Sequence, residues 1–185
     1  MNWFEKIFSD AVWGKNPTTD RKWIKWRHRN LSSRHCLECL MLDGCWFLKS
    51  KTPTHPHHNF CHCILDDLSY HDVWSTSSAN CAYEKFDPYL FNTSGKYPHN
   101  KEKLFNSWGY TVNDAKWLQE EIKKQGLEKY ITGDYKLGKL NSNGQRISIR
   151  VTIPRKDKEE NVSFTTGWMV YPNGYIQLTT PYGGK

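Results

Sequence analysis

No run of residues in this 185-residue sequence is long and apolar enough to span a bilayer. The opening residues, Met1-Asn2-Trp3-Phe4-Glu5-Lys6, lack the basic, apolar and small-residue order of a signal peptide. Export would need another route or a removed leader. Acidic residues are missing between Arg21 and His35, where six Arg or Lys and two His are interleaved with Trp23 and Trp26. Histidine is scarce in the C-terminal half, where His99 stands alone. The nucleobase-deaminase signature, H-x-E followed by P-C-x-x-C, is absent. There is no internal repeat.

What is present is basic and aromatic. The formal charge is +7 and the pI about 9.0, with 9 Trp, 10 Tyr and 8 Phe. A basic chain suits an acidic partner: nucleic acid, an anionic surface or an acidic protein. Most of the rings are expected in the core, where each supplies a large apolar area. The acid-free stretch reads either as a solvated helix face or as a phosphate-contacting arm.

The six cysteines are not spaced like a disulfide framework. Cys36-Leu-Glu-Cys39 is answered by His58-Asn-Phe-Cys61-His-Cys63, so that four cysteines and a run of histidines span 28 residues. A pair at i and i+3 clasps an ion from a tight turn, and Cys61-x-Cys63 does so from an extended strand, whose alternate residues share a face. The 21-residue gap between the pairs is ordinary for a zinc module. The pattern points to a structural Zn²⁺ in a reducing compartment. The ligands are Cys36, Cys39, Cys61 and Cys63, or a set in which His58 replaces Cys61 or Cys63. His55, His57 and Cys45 are weaker candidates, and Cys81 reads as a buried or incidental thiol.

The expected fold class is α+β. Residues 1–65 form a helical, Cys/His zinc-binding segment, with a break near Gly14 to Pro17 and a second helix from Arg21 capped by Thr19 or Asp20. Residues 66–82 read as a linker, and 83–185 as an α+β domain. In that domain Lys101–Trp108 is a short helix. Thr111-Val-Asn-Asp114 resembles a capping box opening a helix with a stripe of Ala115, Leu118 and Ile122, and Gly126 suits its C′ position. A strand near Lys129–Leu137 is interrupted by Gly133. Arg146–Ile153 alternates, with Ile147, Ile149, Val151 and Ile153 on one face and Arg146, Ser148, Arg150 and Thr152 on the other. Val162–Tyr171 and Tyr175–Thr180 form a hairpin around Asn173-Gly174. A two-residue turn there sets Tyr171 against Ile176, Met169 against Leu178, and Trp168 opposite Thr179. The sum is a helix pair packed on a four-stranded antiparallel sheet.

Two resemblances follow. The Trp-rich stretch, Cys36-x-x-Cys39, Leu42-Asp43-Gly44, Pro53-Thr-His55-Pro56 and Cys61-His-Cys63 resemble the C-terminal segment of phage head-morphogenesis proteins of the Mu F and SPP1 minor-head type. That family reads C-x-x-C, a Gly turn, then P-x-H-P-N-C-R-C, and its His corresponds to His55 or His58 here. The likeness covers about residues 23–65. From 83 to 185, the blocks Phe86–Asn92, Lys101–Phe105, Trp108–Thr111, Gly167–Met169 and Leu178–Tyr182, with the helix-then-strands order, resemble a domain appended to polymorphic toxins. That order is similar to the superfamily of barnase, EndoU, colicin-type tRNases and RelE. The resemblance implies a metal-independent ribonuclease and transfers no catalytic set, because the superfamily's catalytic residues vary.

Metal-independent RNA cleavage lets the 2′-OH attack the adjacent phosphate. It needs a group to take the 2′ proton, one to protonate the 5′ oxygen, and cations for the phosphorane charge. Arg150 and Arg146 on the open strand face are the candidate phosphate clamp. Thr166, Thr179, Thr180 and Tyr182 offer hydroxyls, and His99 is the default acid or base. Lys136, Lys101 and Lys103 add charge for RNA, and Trp168 a stacking face. Arg150 and a terminal threonine rank ahead of His99. The expected protein is a toxin ribonuclease cutting tRNA or another structured RNA. It would act in the bacterial cytoplasm, delivered from another cell or carried by a phage or mobile element, and be neutralised by an acidic immunity protein or antitoxin. The alternative is a non-enzymatic phage or mobile-element protein, structural or nucleic-acid-binding.

Overall fold

The computed structural model describes residues 22–29, 36–97 and 99–182. The expected first helix, the break at Gly14 to Pro17, and both ends of the acid-free stretch lie outside the described residues. Within them the chain is mixed α+β, with four α-helices, one three-stranded sheet and one five-stranded sheet.

The helix expected from Arg21 is instead a strand, β1 (Trp23–Arg27). Trp and Ile favour a pleated, half-buried surface, and β1 is the centre of its sheet. It pairs antiparallel with β2 (Trp46–Leu48) and β3 (Ile64–Leu68) on its two edges. Trp23, Ile24 and Trp26 are buried. Arg27 is not free for phosphate: its Nε and Nη2 meet the carboxylate of Asp66 in β3 at 2.7 and 2.8 Å. Helix α1 (Leu37–Leu42) and the Asp43-Gly44 turn lie between β1 and β2.

Residues 66–82, expected as a linker, hold the end of β3, helix α2 (Tyr70–Thr76) and strand β4 (Ser78–Asn80). Ser69 caps α2 by accepting the Asp72 N–H at 3.0 Å. Strand β4 pairs in parallel with the last strand, β8 (Tyr175–Thr180), and so adds a fifth strand to the expected four. The order is β4-β8-β7-β6-β5, with β5 Lys136–Asn141, β6 Gly144–Pro154 and β7 Asn161–Val170.

Helix α3 (Lys101–Asn106) forms where a short helix was expected. The Thr111–Asp114 capping box is also present: the Asp114 carboxylate accepts the Thr111 N–H at 2.9 Å, and a 3₁₀ turn leads into α4 (Ala115–Ile131). Gly126 does not end this helix. It sits inside α4 because the Trp168 ring occupies the place of its missing side chain. The true C′ residue is Gly133, at φ +74°, with Gly133 N–H donating to Tyr130 O at 2.9 Å and Asp134 N–H to Lys129 O at 2.7 Å. These are the paired bonds of a Schellman motif, so the strand expected near Lys129 begins only at Lys136.

In β6 the alternation holds: Ile147, Ile149, Val151 and Ile153 are buried, and Arg146, Arg150 and Thr152 are exposed. The β7–β8 hairpin turns at Asn173-Gly174, both at positive φ. Its register is one residue off the expectation, for a chemical reason. Pro172 has no N–H to give to Tyr175, so the Tyr171 N–H donates to Tyr175 O instead, at 2.8 Å. Val170 therefore faces Ile176, and Trp168 faces Leu178. Trp168 thus joins the core. The register slips back one step later, where Gly167 pairs with Thr180 and leaves Thr179 as the extra residue of a bulge.

The two sheets share one core. The Tyr130 hydroxyl donates to Trp46 O at 2.7 Å, the Leu48 N–H to the Tyr135 hydroxyl at 3.0 Å, and the Asn173 N–H to Gly44 O at 3.0 Å.

Candidate functional site

The cysteines and His58 converge between α1 and the segment that enters β3. Two trios of donor atoms, Cys36/Cys39/His58 and Cys39/Cys61/Cys63, share Cys39 and can hold a metal ion. Cys39 Sγ lies 3.3 Å from His58 Nε2 and 3.8 Å from Cys61 Sγ. His58 Nδ1 is 2.6 Å from the carbonyl of Asn59, which can only accept. Nδ1 therefore carries the proton, and the Nε2 lone pair faces the sulfurs. This is the arrangement that orients a metal-binding imidazole. Burial and the neighbouring thiols push the Cys39 thiol far above its ordinary range. Thiolates crowded together in a buried place repel one another, and a divalent cation relieves that repulsion.

The surrounding residues separate ligands from supports. His55 Nε2 lies 2.8 Å from the Cys63 carbonyl, and the ring sits edge-on to Trp26. His58 faces the thiols and His55 stands behind them. His57 is paired with Glu38 at 2.5 Å. These two form a further trio with Cys36. Cys45 and Cys81 are buried, and burial pushes each thiol up to about 12. Cys45 Sγ faces the carbonyls of Met41 and Val170.

The second site is a cavity of about 740 Å³ over the open side of β6, β7 and β8. The β8 bulge and Gly167 make its floor. A Cβ on Gly167 would fall 2.9 Å from Thr180 Cγ2 and 3.1 Å from Thr179 Oγ1, so the absent side chain leaves room for both threonines. Lys101, from the start of α3, reaches across to the hydroxyls of Tyr89 at 2.8 Å and Thr180 at 3.2 Å. Thr180 donates in turn to Tyr182 O at 2.9 Å. Arg146 and Lys139 line the opposite side, and among the described residues no Asp or Glu lines the cavity. Among the described residues Arg146 and Arg150 have no acidic partner. The Gln145 amide donates to Gly138 O at 2.9 Å and Arg146 O at 2.7 Å, bracing the irregular pairing of β5 beside Arg146.

Of the candidate residues, Lys101, Arg146, Thr166, Trp168, Thr179, Thr180 and Tyr182 border this cavity, Thr166 and Trp168 from within the core. Thr166 does not offer its hydroxyl: it is buried, donates to Ile149 O at 2.9 Å and accepts the Trp168 indole N–H at 2.8 Å. Trp168 is fully buried and presents no face for a base. Arg150 shares the open face of β6 with Arg146 but lies beyond the cavity. Lys136 pairs with Ser148 across β5 and β6, and Lys103 is exposed on α3; neither lines the cavity. His99 lies behind Tyr89, ring centroids 4.7 Å apart, with its Nε2 buried and unpartnered among the described residues.

Tyr89, Lys139, Ser148 and Thr165 line the cavity without having been expected there. Ser148 had a signal, its place between Arg146 and Arg150 in the alternation. Thr165 had one too, as the cross-strand partner of Arg150. Tyr89 had none, because it sits on an irregular turn.

No curated protein and no solved structure matches the chain. Residues 75–185, more than half of its length, match the family described as a domain of unknown function, DUF6883, and the chain belongs to that family.

Proposed function

We propose that this protein is an endoribonuclease that cleaves tRNA or another structured RNA by metal-independent 2′-OH transesterification. The observation that carries this reading is the convergence of Lys101, Lys139 and Arg146 with two threonines on one cavity that, among the described residues, no carboxylate lines. Such a site attracts a phosphodiester and stabilises the added charge of a phosphorane. Arg146 supplies the fork that matches two phosphate oxygens. The Thr179 hydroxyl holds the third direction, and the Thr180 hydroxyl holds the Lys101 ammonium. RNA fits better than a small anion, because the chain is basic overall.

The cysteine cluster fits a structural Zn²⁺, because its donors are thiolates and one oriented imidazole. It stands apart from the cavity and takes no part in the cleavage. The setting that suits a basic ribonuclease of this kind is a toxin of the bacterial cytoplasm, held in check by an acidic immunity protein or antitoxin and carried by a phage or mobile element.

A second reading has one observation in its favour. Among the described residues neither a histidine nor a carboxylate lines the cavity, which suits a nucleic-acid-binding protein that does not cut. Purified protein incubated with total RNA decides between them. The enzyme reading expects fragments ending in 2′,3′-cyclic phosphate, formed equally well in the presence of a chelator of free divalent ions. RNA bound but left intact would favour the second reading and overturn the first.

A further inference from the structure

We infer that Tyr89 is the catalytic acid of the cavity, a role that rests on the ribonuclease reading. Its hydroxyl accepts a hydrogen bond from the Lys101 ammonium at 2.8 Å, and the same nitrogen lies 4.8 Å from the ring centroid. The Lys85 ammonium lies over the ring as well, 5.7 Å from the centroid. The phenol therefore has two cations around it to stabilise the phenolate left when the proton departs. Among the described residues its own O–H donates to nothing, and the residue lines the cavity. A phenol with its lone pair held and its proton free is arranged to give that proton away.

Its position is fixed from three sides. The segment around Tyr89 is anchored by the buried Phe86, Leu90 and Phe91. Tyr97 and His99 pack edge-on against the ring, at 4.9 and 4.7 Å. The Lys101 N–H lies 3.5 Å from His99 Nδ1, so the residues that hold the ring and the one that holds its oxygen belong to one short stretch. Rigid support of this kind lets a proton donor meet its acceptor without first being ordered.

The step balances as follows. The 2′ oxygen attacks phosphorus and its proton passes to water. The bond from phosphorus to the 5′ oxygen breaks, and the 5′ oxygen takes the proton of the Tyr89 hydroxyl. The products are a 2′,3′-cyclic phosphate and a 5′-hydroxyl, and solvent reprotonates the Tyr89 phenolate beside Lys101. Arg146 and Lys139 neutralise the phosphorane charge meanwhile.

The test uses two dinucleotide-containing RNAs of one sequence. One has the normal 5′ oxygen at the cut site, and the other a 5′ sulfur, whose thiolate leaves without protonation. Tyr89→Phe should slow cleavage of the oxygen linkage by about 100-fold or more while leaving the sulfur linkage at the wild-type rate. Lys101→Met should show the same selective loss plus a weaker, shared loss from its missing charge. Equal slowing of both linkages by Tyr89→Phe would overturn the acid role while leaving the ribonuclease reading in place. Cleavage of neither linkage by the wild-type protein would overturn both.

Discussion

The Trp168 ring fills the space where Gly126 would carry a side chain. A Cβ at Gly126 would lie 2.3 Å from Trp168 Cζ2 and 2.5 Å from Cη2. Glycine inside a helix ordinarily costs about 1 kcal/mol against alanine. At this position the balance reverses, because the obstacle is a buried indole whose N–H is tied to Thr166. Gly126→Ala should therefore destabilise the fold by about 1–3 kcal/mol, the usual cost of overpacking a core. Chemical denaturation of the two proteins measures it; a stabilised variant would show that the ring can move aside.

That contact also shows what could be read from the chain alone. The β6 alternation, the Thr111–Asp114 box and the Asn173-Gly174 turn are local chemistry, and all three are found. The helix end at Gly126 and the outward face of Trp168 are not, because each depends on the other across the core. Pro172 could have given the hairpin register, since its missing N–H was visible in the sequence. The strand at Trp23–Arg27 could not, because its partners β2 and β3 lie 19 or more residues away. In the cavity, Arg146, Thr179 and Thr180 were legible from their strands, whereas Lys139, Ser148 and Thr165 needed the pairing of β5, β6 and β7, and Tyr89 lies on an irregular turn.

The metal cluster makes a stoichiometric prediction. Purified under reducing conditions, the protein should hold about one Zn²⁺ per chain by elemental analysis. Cys39→Ser should abolish binding, since Cys39 is shared by the Cys36/Cys39/His58 and Cys39/Cys61/Cys63 trios. Cys81→Ser should leave the metal in place, because that thiol lies outside both. Removing the metal with a strong chelator should lower the melting temperature, because Cys36 and Cys39 lie between β1 and β2, and His58, Cys61 and Cys63 between β2 and β3, so that the ion ties together both connections of the small sheet. Loss of metal from Cys81→Ser but not from Cys39→Ser would refute the assignment.

The two arginines of β6 should behave differently in an RNA-cleavage assay. Arg146 lines the cavity and Arg150 lies beyond it. Arg146→Ala should cost about 100-fold or more in cleavage rate, as for loss of a donor to developing oxyanion charge. Arg150→Ala should act mainly on binding of longer RNAs and weaken it in a salt-dependent way. The opposite ranking would move the site along the sheet, toward the Thr165 pairing partner of Arg150.

Asp114 should make stability depend on pH. Partial burial raises its pKa, but the Lys156 ammonium at 2.8 Å and the Thr111 N–H outweigh that and hold it below the usual carboxylate value. A carboxyl lowered by folding adds stability above its unfolded pKa and loses it as pH falls through its folded one. Asp114→Ala should thus cost about 1 kcal/mol at neutral pH, the scale of a lost helix cap. Thermal melts of variant and wild type should converge as the pH drops below the carboxylate range. A gap that persists there would place the contribution of Asp114 in packing rather than charge.

Gly167→Ala tests whether the floor of the cavity matters for chemistry. The added methyl would meet Thr180 Cγ2 at 2.9 Å and Thr179 Oγ1 at 3.1 Å. Gly167 is only half-buried and its backbone is an ordinary strand, so alanine itself is unstrained there. The two threonines must give way, and Thr180 would carry with it its contact to Lys101. The expected result is a fold destabilised by less than about 1 kcal/mol, the range of substitutions away from a packed core, with cleavage reduced about 10-fold or more, as for a misplaced catalytic constellation. Full activity in a stable Gly167→Ala protein would mean that Thr179 does not hold the phosphate and that Thr180 does not set the position of Lys101.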